Sequence, residues 1–341
     1  LSALATRIAA LHKAHGRWSL LEIGFWLLPI AAIWLFPTRH LTLSEIGILA
    51  LFALSLDLIL GFAGIVSLGH TAFFGLGAYV AGIATIHGLT DPTLGLLLGA
   101  LAAALLGFIT SFLVLRGSDL TRLMVTLGVA SVLAEIANQA SWLTGGADGL
   151  QGVSAGPVLG IFDFDLYGTT AYLYVLGVLF VLFVIARRIV TSPFGLSLRA
   201  IHGNALRARA IGIPVDRRLV AIYTLSAAYA GVAGALLTQT TDFVSLDVLD
   251  FHRSADVLLV LVIGGTGYLY GGLIGAVFFK AVQDVLSNLT PQYWHFWIGL
   301  ILVLLVLVGR ERLTEGPRGL VLWLMRRIGG AQEKPVEEAP R

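Results

Sequence analysis

The chain has 341 residues, of which 57% are hydrophobic and 12% charged, and it contains no cysteine. Soluble domains carry about 25% charged residues, so a soluble globular protein is excluded. So are a disulfide framework, a thiolate metal site and a cysteine nucleophile. The net charge of +2 says little as a total; its distribution along the chain is informative.

Repeated apolar runs of about 20 residues, enough to cross a bilayer as a helix, predict an all-α, polytopic integral membrane protein. About 8–10 transmembrane helices are expected, some of them glycine-broken or re-entrant. Residues 1–17 read as a cytoplasmic N-terminal segment, 18–309 as the membrane domain and 310–341 as a cytoplasmic tail. Arg7, Lys13 and Arg17 before an apolar run resemble a signal peptide. Phe36, Pro37, Thr38 and Arg39 follow in place of a small-residue cleavage site, so the first span is expected to be retained.

In chain order, spans are expected at 18–36 (kinked at Pro29), 41–60, 71–86, 93–115, 120–143, 171–186 and 219–240. A short apolar piece at 255–263, a longer one at 273–286 and a last span at 294–308 follow. Two glycine-rich stretches interrupt this series, GFAGIVSLGH at 61–70 and GGTGYLYGG at 264–272. The loop at 144–170 has no lysine or arginine, and the loop after 240 carries Asp242, Asp247, Asp250 and Asp256 against Arg253.

The segment 187–218 has the opposite bias: Arg187, Arg188, Arg199, Arg207, Arg209, Arg217 and Arg218 against Asp216 alone. Positive loops stay in the cytoplasm, which places this segment, the N-terminus and the arginine-rich tail on one side. The parity then requires either three crossings from 255 to 308, ten in all, or a re-entrant piece and eight spans.

The basic segment has its own folding code. Ser192 suits an N-cap, with Pro193 at the first helical position, and the helix is expected to reach His202. Asn204 caps a second helix over 205–211, Gly212 suits the left-handed C′ position, Pro214 prevents continuation, and Asp216 is the expected cap of the next helix. Each short helix is only about 15 Å long and cannot span a membrane. Phe194, Gly195, Leu206 and Ile211 lie in this pair, which reads as a docking device for a cytosolic partner.

The glycine breaks are candidates for a translocation path, because irregular backbone at membrane depth needs protein or a water-filled cavity around it. Gly61, Gly64, Ser67, Gly69 and His70 mark the first, and Gly264, Gly265 and Gly267 the second. Close helix packing is the competing role, as for Gly75, Gly77, Gly271, Gly272 and Gly275. Asp57 is ionisable within a span, with Lys280 its candidate partner. Ser131, Glu135, Asn138 and Trp142 share one helix face at spacings of four, three and four. That face either lines a path or meets another subunit.

No phosphate-binding loop, HExxH or nucleophile elbow is present, and the eight histidines are scattered. The chain is therefore not expected to be an enzyme, nor to bind nucleic acid or hold a cofactor. Uphill transport would need an ion gradient or a separate ATPase.

Four stretches carry a resemblance: 53–79 (ALSLDLILGFAGIVSLGHTAFFGLGAY), TLGVA with LTGGADGL within 126–150, SPFGLSLRAIHGNALRARAIGI from 192, and LVLVIGGTGYLYGGLIGA at 259–276. They resemble the permease subunits of bacterial branched-chain amino acid ABC transporters, the LivM-like branch. The resemblance implies a bacterial inner-membrane protein in contact with lipid, paired with a second, homologous permease. It further implies two cytosolic ATPase subunits that bind ATP and Mg, and a periplasmic solute-binding protein. By the same analogy Arg199, Ala200, Asn204, Arg207, Ala208 and Gly212 lie in the ATPase-coupling segment. Asp57 stands where the family pattern leads one to expect a neutral polar residue such as asparagine.

Overall fold

The computed structural model describes residues 19–308 except 159 and 166; the expected terminal segments, 1–17 and 310–341, lie outside the described residues. Among those residues the regular structure is helical, with two isolated β-bridges. Helices α1 (Leu20–Leu35), α2 (His40–Ala63), α3 (Thr71–Ile86), α4 (Pro92–Val114) and α5 (Asp119–Gln139) come first. Helix α6 (Thr169–Thr191), two short helices, α7 (Pro193–Gly203) and α8 (Ala205–Ala210), and α9 (Val215–Thr241) follow. The series continues with α10 (Phe251–Gly264), α11 (Leu269–Leu289) and α12 (Trp294–Val308). Helices α2, α4, α5, α6, α9 and α11 are long and apolar enough to cross a membrane; α1 and α3 are apolar but shorter.

Local chemistry sets the ends. Ser19 and Glu22 form a capping box at the start of α1, each satisfying a backbone N–H that the helix leaves open. The same Glu22 carboxylate accepts from Arg187 at 2.9 Å, so α1 is tied to α6. The helix continues through Pro29, whose carbonyl accepts from the Tyr172 hydroxyl at 2.8 Å. Between these two ties, Phe180 and Phe183 of α6 meet the Trp26 ring edge-on at 4.9 and 5.1 Å. Asp91 caps α4, and its bonds from the Thr93 hydroxyl and backbone N–H hold its carboxyl below the ordinary range.

Two boundaries differ from expectation. Helix α5 ends at Gln139 rather than 143, and 141–144 forms a separate turn, because the Thr144 hydroxyl reaches back to the carbonyls of Ala137 and Ala140. Helix α9 starts at Val215 after Pro214, so Asp216 sits inside the first turn instead of capping it, paired with Arg209 at 2.6 Å.

The core up to Lys280 is built around α9, which packs on α2, α3 and α4. Small residues allow this approach. A Cβ on Gly77 would strike the Gly231 backbone, one on Gly234 the Phe74 carbonyl, and one on Gly107 the Ala227 side chain. Without a hydrophobic driving force in lipid, such backbone proximity is what makes helices associate. From Ala281 a second unit holds the rest of α11 and α12.

Three contacts trace residues 244–254 along α3 from its C-terminal to its N-terminal end. Val244 bridges to Leu150, which lies against Gly82; Leu249 packs on Gly75; Ser254 donates to Thr71 at 3.0 Å. Helix α10 therefore begins beside the N-terminus of α3 and ends where Gly267 meets Gly61 at the C-terminal end of α2. Helix α11 returns along α2, with Gly272 against Ala53 and Lys280 paired to Glu45 at 2.7 Å. The 14-residue α10, about 21 Å long at 1.5 Å per residue, thus completes a passage whose first part is irregular chain. Lys280 is paired with Glu45, twelve residues before Asp57 on α2, which takes the place of the suggested pairing with Asp57.

Candidate functional site

The first glycine break is built by a reversal at the end of α2. Gly64 is left-handed (φ 71°), and the N–H groups of Gly64 and Ile65 bond back to Leu60 and Ile59. Such a C-terminal motif favours glycine, which has no Cβ, at that position. Residues 64–70 then run back beside α2 until His70 Nε2 lies 3.0 Å from the Ser55 hydroxyl and 3.3 Å from that of Ser226. Both hydroxyls donate to carbonyls, of Phe52 and Ser55 respectively. Their lone pairs face His70, which assigns the proton to Nε2. Leu68 N–H donates to the Thr126 hydroxyl, and Thr71 N–H to Ser254. Irregular backbone is thus wrapped by side-chain partners, as burial away from water demands. Ser67 and His70 are fully buried here, and Gly69 packs on the Thr126 carbonyl.

The second break joins the first. Gly267, with φ 75°, donates its N–H to Asp57 Oδ1 at 2.7 Å, and a Cβ on Gly61 would collide with both groups. Asp57 is fully buried. Gly264 has another role: a Cβ there would strike the backbone of Gly271, so it closes α10 against α11. Gly265 completes that turn at φ 105°.

Beyond Thr126, α5 lines a cleft of about 600 Å³. Ser131, Glu135 and Asn138 face Asp247, Asp250 and Phe251 across it. Trp142, expected on the same face, belongs to the separate turn and borders a different cavity with Ile83 and Gln151. Asp247, Asp250 and Phe251 could not be picked out from the sequence, where they read as part of an acidic loop; the N-cap pattern Asp250–Phe251 was the available signal. The cleft meets the first break at two points. Helix α5 carries both Thr126 and the polar face, and the first turn of α10 carries both Asp250 and Ser254.

The basic pair α7–α8 follows the expected code. Ser192 is at once the C-cap of α6 and the N-cap of α7, Pro193 follows it, Asn204 caps α8 through Arg207 N–H, and Gly212 is left-handed at φ 87°. Gly195 sits where a Cβ would strike the Val190 carbonyl, which lets α6 and α7 meet at a sharp corner. The pair has two sides. Leu198, Ile201 and Ala208 are buried, whereas Leu206 and Ile211 are 77% and 70% exposed. Arg218 stacks on Phe194, and Arg199 on Phe62, at 5.1 and 5.4 Å. His202, for which the sequence suggests no role, donates from Nδ1 to the Gly61 carbonyl at 3.1 Å.

Residues 40–307 match the family described as branched-chain amino acid transport system, permease component. Among curated proteins, the chain is 26% identical over 307 residues to the high-affinity branched-chain amino acid transport system permease protein LivM of Escherichia coli K12, covering 82% of this chain and 72% of that one. The same-named protein of Salmonella typhimurium LT2 is 27% identical with the same coverage. The autoinducer 2 import system permease protein LsrC of Enterobacter sp. strain 638 is 29% identical over 299 residues, 84% of this chain and 83% of that one. No solved structure matches the chain significantly.

Proposed function

The chain belongs to the family of the branched-chain amino acid transport system permease component, and on that premise we propose that it is the membrane-spanning subunit of an ATP-driven, binding-protein-dependent importer. The observation that carries the reading is the α7–α8 knob, capped at both helix starts, joined directly to α6 through Ser192 and to α9 through residues 211–214, with Leu206 and Ile211 turned outward. Two apolar anchors on the same short segment as Arg207 and Arg209 suit a groove on a cytosolic ATPase, in which a few buried residues supply most of the binding energy. ATP and Mg would be held by two such ATPase subunits, and this chain contributes movement rather than hydrolysis.

A second, homologous permease would complete the membrane assembly, and a periplasmic binding protein would deliver the solute to the face where residues 144–168 lie. The path is assigned to the cleft between α5 and the start of α10, together with the first break beside it and the second break at the far end of α10. Half-helix ends and unwound backbone are the usual makings of a solute site in transporters. The solute is a branched-chain amino acid or a related small polar molecule such as urea, an amide or an aromatic acid. The relatives named above are assigned to branched-chain amino acids and to autoinducer 2, a spread consistent with one scaffold and several solutes.

Leu206→Asp tests the reading. A charge forced into the docking groove without a partner costs several kcal/mol. The variant should insert normally, yet no longer co-purify with the ATPase or support solute-stimulated hydrolysis. Unchanged co-purification and stimulation would make a self-sufficient carrier the better account.

A further inference from the structure

The knob has a second attachment besides α6 and α9. At the last turn of α7, His202 Nδ1 lies 3.1 Å from the carbonyl of Gly61. A carbonyl only accepts, so Nδ1 carries the proton, and the contact holds in the neutral and in the protonated ring alike. The ring also covers Gly64, where a Cβ would come within 2.8 Å of it. Beside it Arg199 lies over the Phe62 ring. The end of α2 that His202 grips is the one whose Asp57 holds the N–H of Gly267. One side chain of the knob is thus one bond away from the first break and two from the second.

We propose that His202 is a positioning residue that transmits displacement of the α7–α8 knob to both glycine breaks through the end of α2. The inference rests on the reading that an ATPase moves the knob, and it adds a route distinct from the flanking spans. The two helices of the knob have separate roles. Helix α8 and its C-cap present Leu206 and Ile211 outward, while α7 buries Leu198 and Ile201 and places His202 against α2. Gly64 and Gly267 are both left-handed, at 71° and 75°. At such positions the chain reverses with no side chain to resist a change of backbone angle.

The test uses the complete transporter in liposomes and reads solute accumulated per ATP hydrolysed. His202 is largely exposed, so His202→Ala spares the core. It should co-purify with the ATPase as the unchanged protein does, while the transport-to-hydrolysis ratio falls about fivefold or more, the lower end of usual coupling between sites. His202→Asn sets an amide nitrogen near the place of Nδ1 and should restore most of the ratio. Gly64→Ala should lower the ratio by itself and add little to His202→Ala, because the two act in series. The proposal is overturned if His202→Ala keeps the ratio, if His202→Asn fails to restore it, or if the two changes add fully. Loss of ATPase binding or of the protein from the membrane in His202→Ala overturns it too, by making the residue a docking or anchoring group. None of these outcomes touches the permease reading, which Leu206→Asp tests separately.

Discussion

Asp57 Oδ1 accepts the backbone N–H of Gly267 at 2.7 Å across 210 positions of sequence, and this bond fastens the second irregular segment to the last turns of α2, from which the first one leaves. An orphaned buried N–H costs about 1–3 kcal/mol. Asp57→Leu should therefore lower the thermal unfolding temperature in detergent and reduce uptake. Asp57→Asn keeps an oxygen acceptor and should retain both. Equal loss in the two variants would show that the charge, not the bond, is what matters.

The arginine distribution predicts the orientation. Single cysteines can be introduced into this cysteine-free chain and probed in intact cells with a membrane-impermeant thiol reagent. Ala155, in the loop before α6, should label, and Ala205, at the start of α8, should not. The reverse pattern would invert the scheme.

Glycines in the breaks and glycines in the packed core should fail differently. Gly64→Leu meets the exposed His202 ring and a left-handed backbone, a strain of roughly 1–2 kcal/mol. It should leave an assembled complex without uptake. Gly77→Leu drives a side chain into the Gly231 backbone and should remove the protein from the membrane. Normal uptake by Gly64→Leu would exclude the first break from the transport cycle.

The α5 cleft predicts a face-dependent effect. Asn138 lines the cleft and is exposed in it, so Asn138→Leu should spare folding and lower uptake roughly tenfold, equivalent to about 1.4 kcal/mol. Ile136, 57% exposed and outside the cleft, should tolerate alanine. Equal effects at both positions, measured as initial uptake rates, would count against the path.

Most of the helix inventory and the whole capping scheme of α7 and α8 were legible in the sequence. Caps are local: Ser192 and Asn204 satisfy N–H groups three positions away, and Gly212 acts on its own backbone angle. The polar face of α5 was legible for the same reason, since helical spacing alone aligns Ser131, Glu135 and Asn138. Its premature end at Gln139 was not, because the Thr144 hydroxyl that reshapes the next turn reaches back seven residues. Which residues meet across helices was decided only by the tertiary structure. Lys280 sits opposite Glu45 rather than Asp57, Ser254 opposite Thr71, and His202 opposite Gly61. Such pairings depend on the depth and rotation of one helix against another. A helix that is apolar on all sides carries no amphipathic stripe to report its rotation. The close approaches that set depth and rotation are made by glycines, which reveal that a neighbour is near without revealing which one.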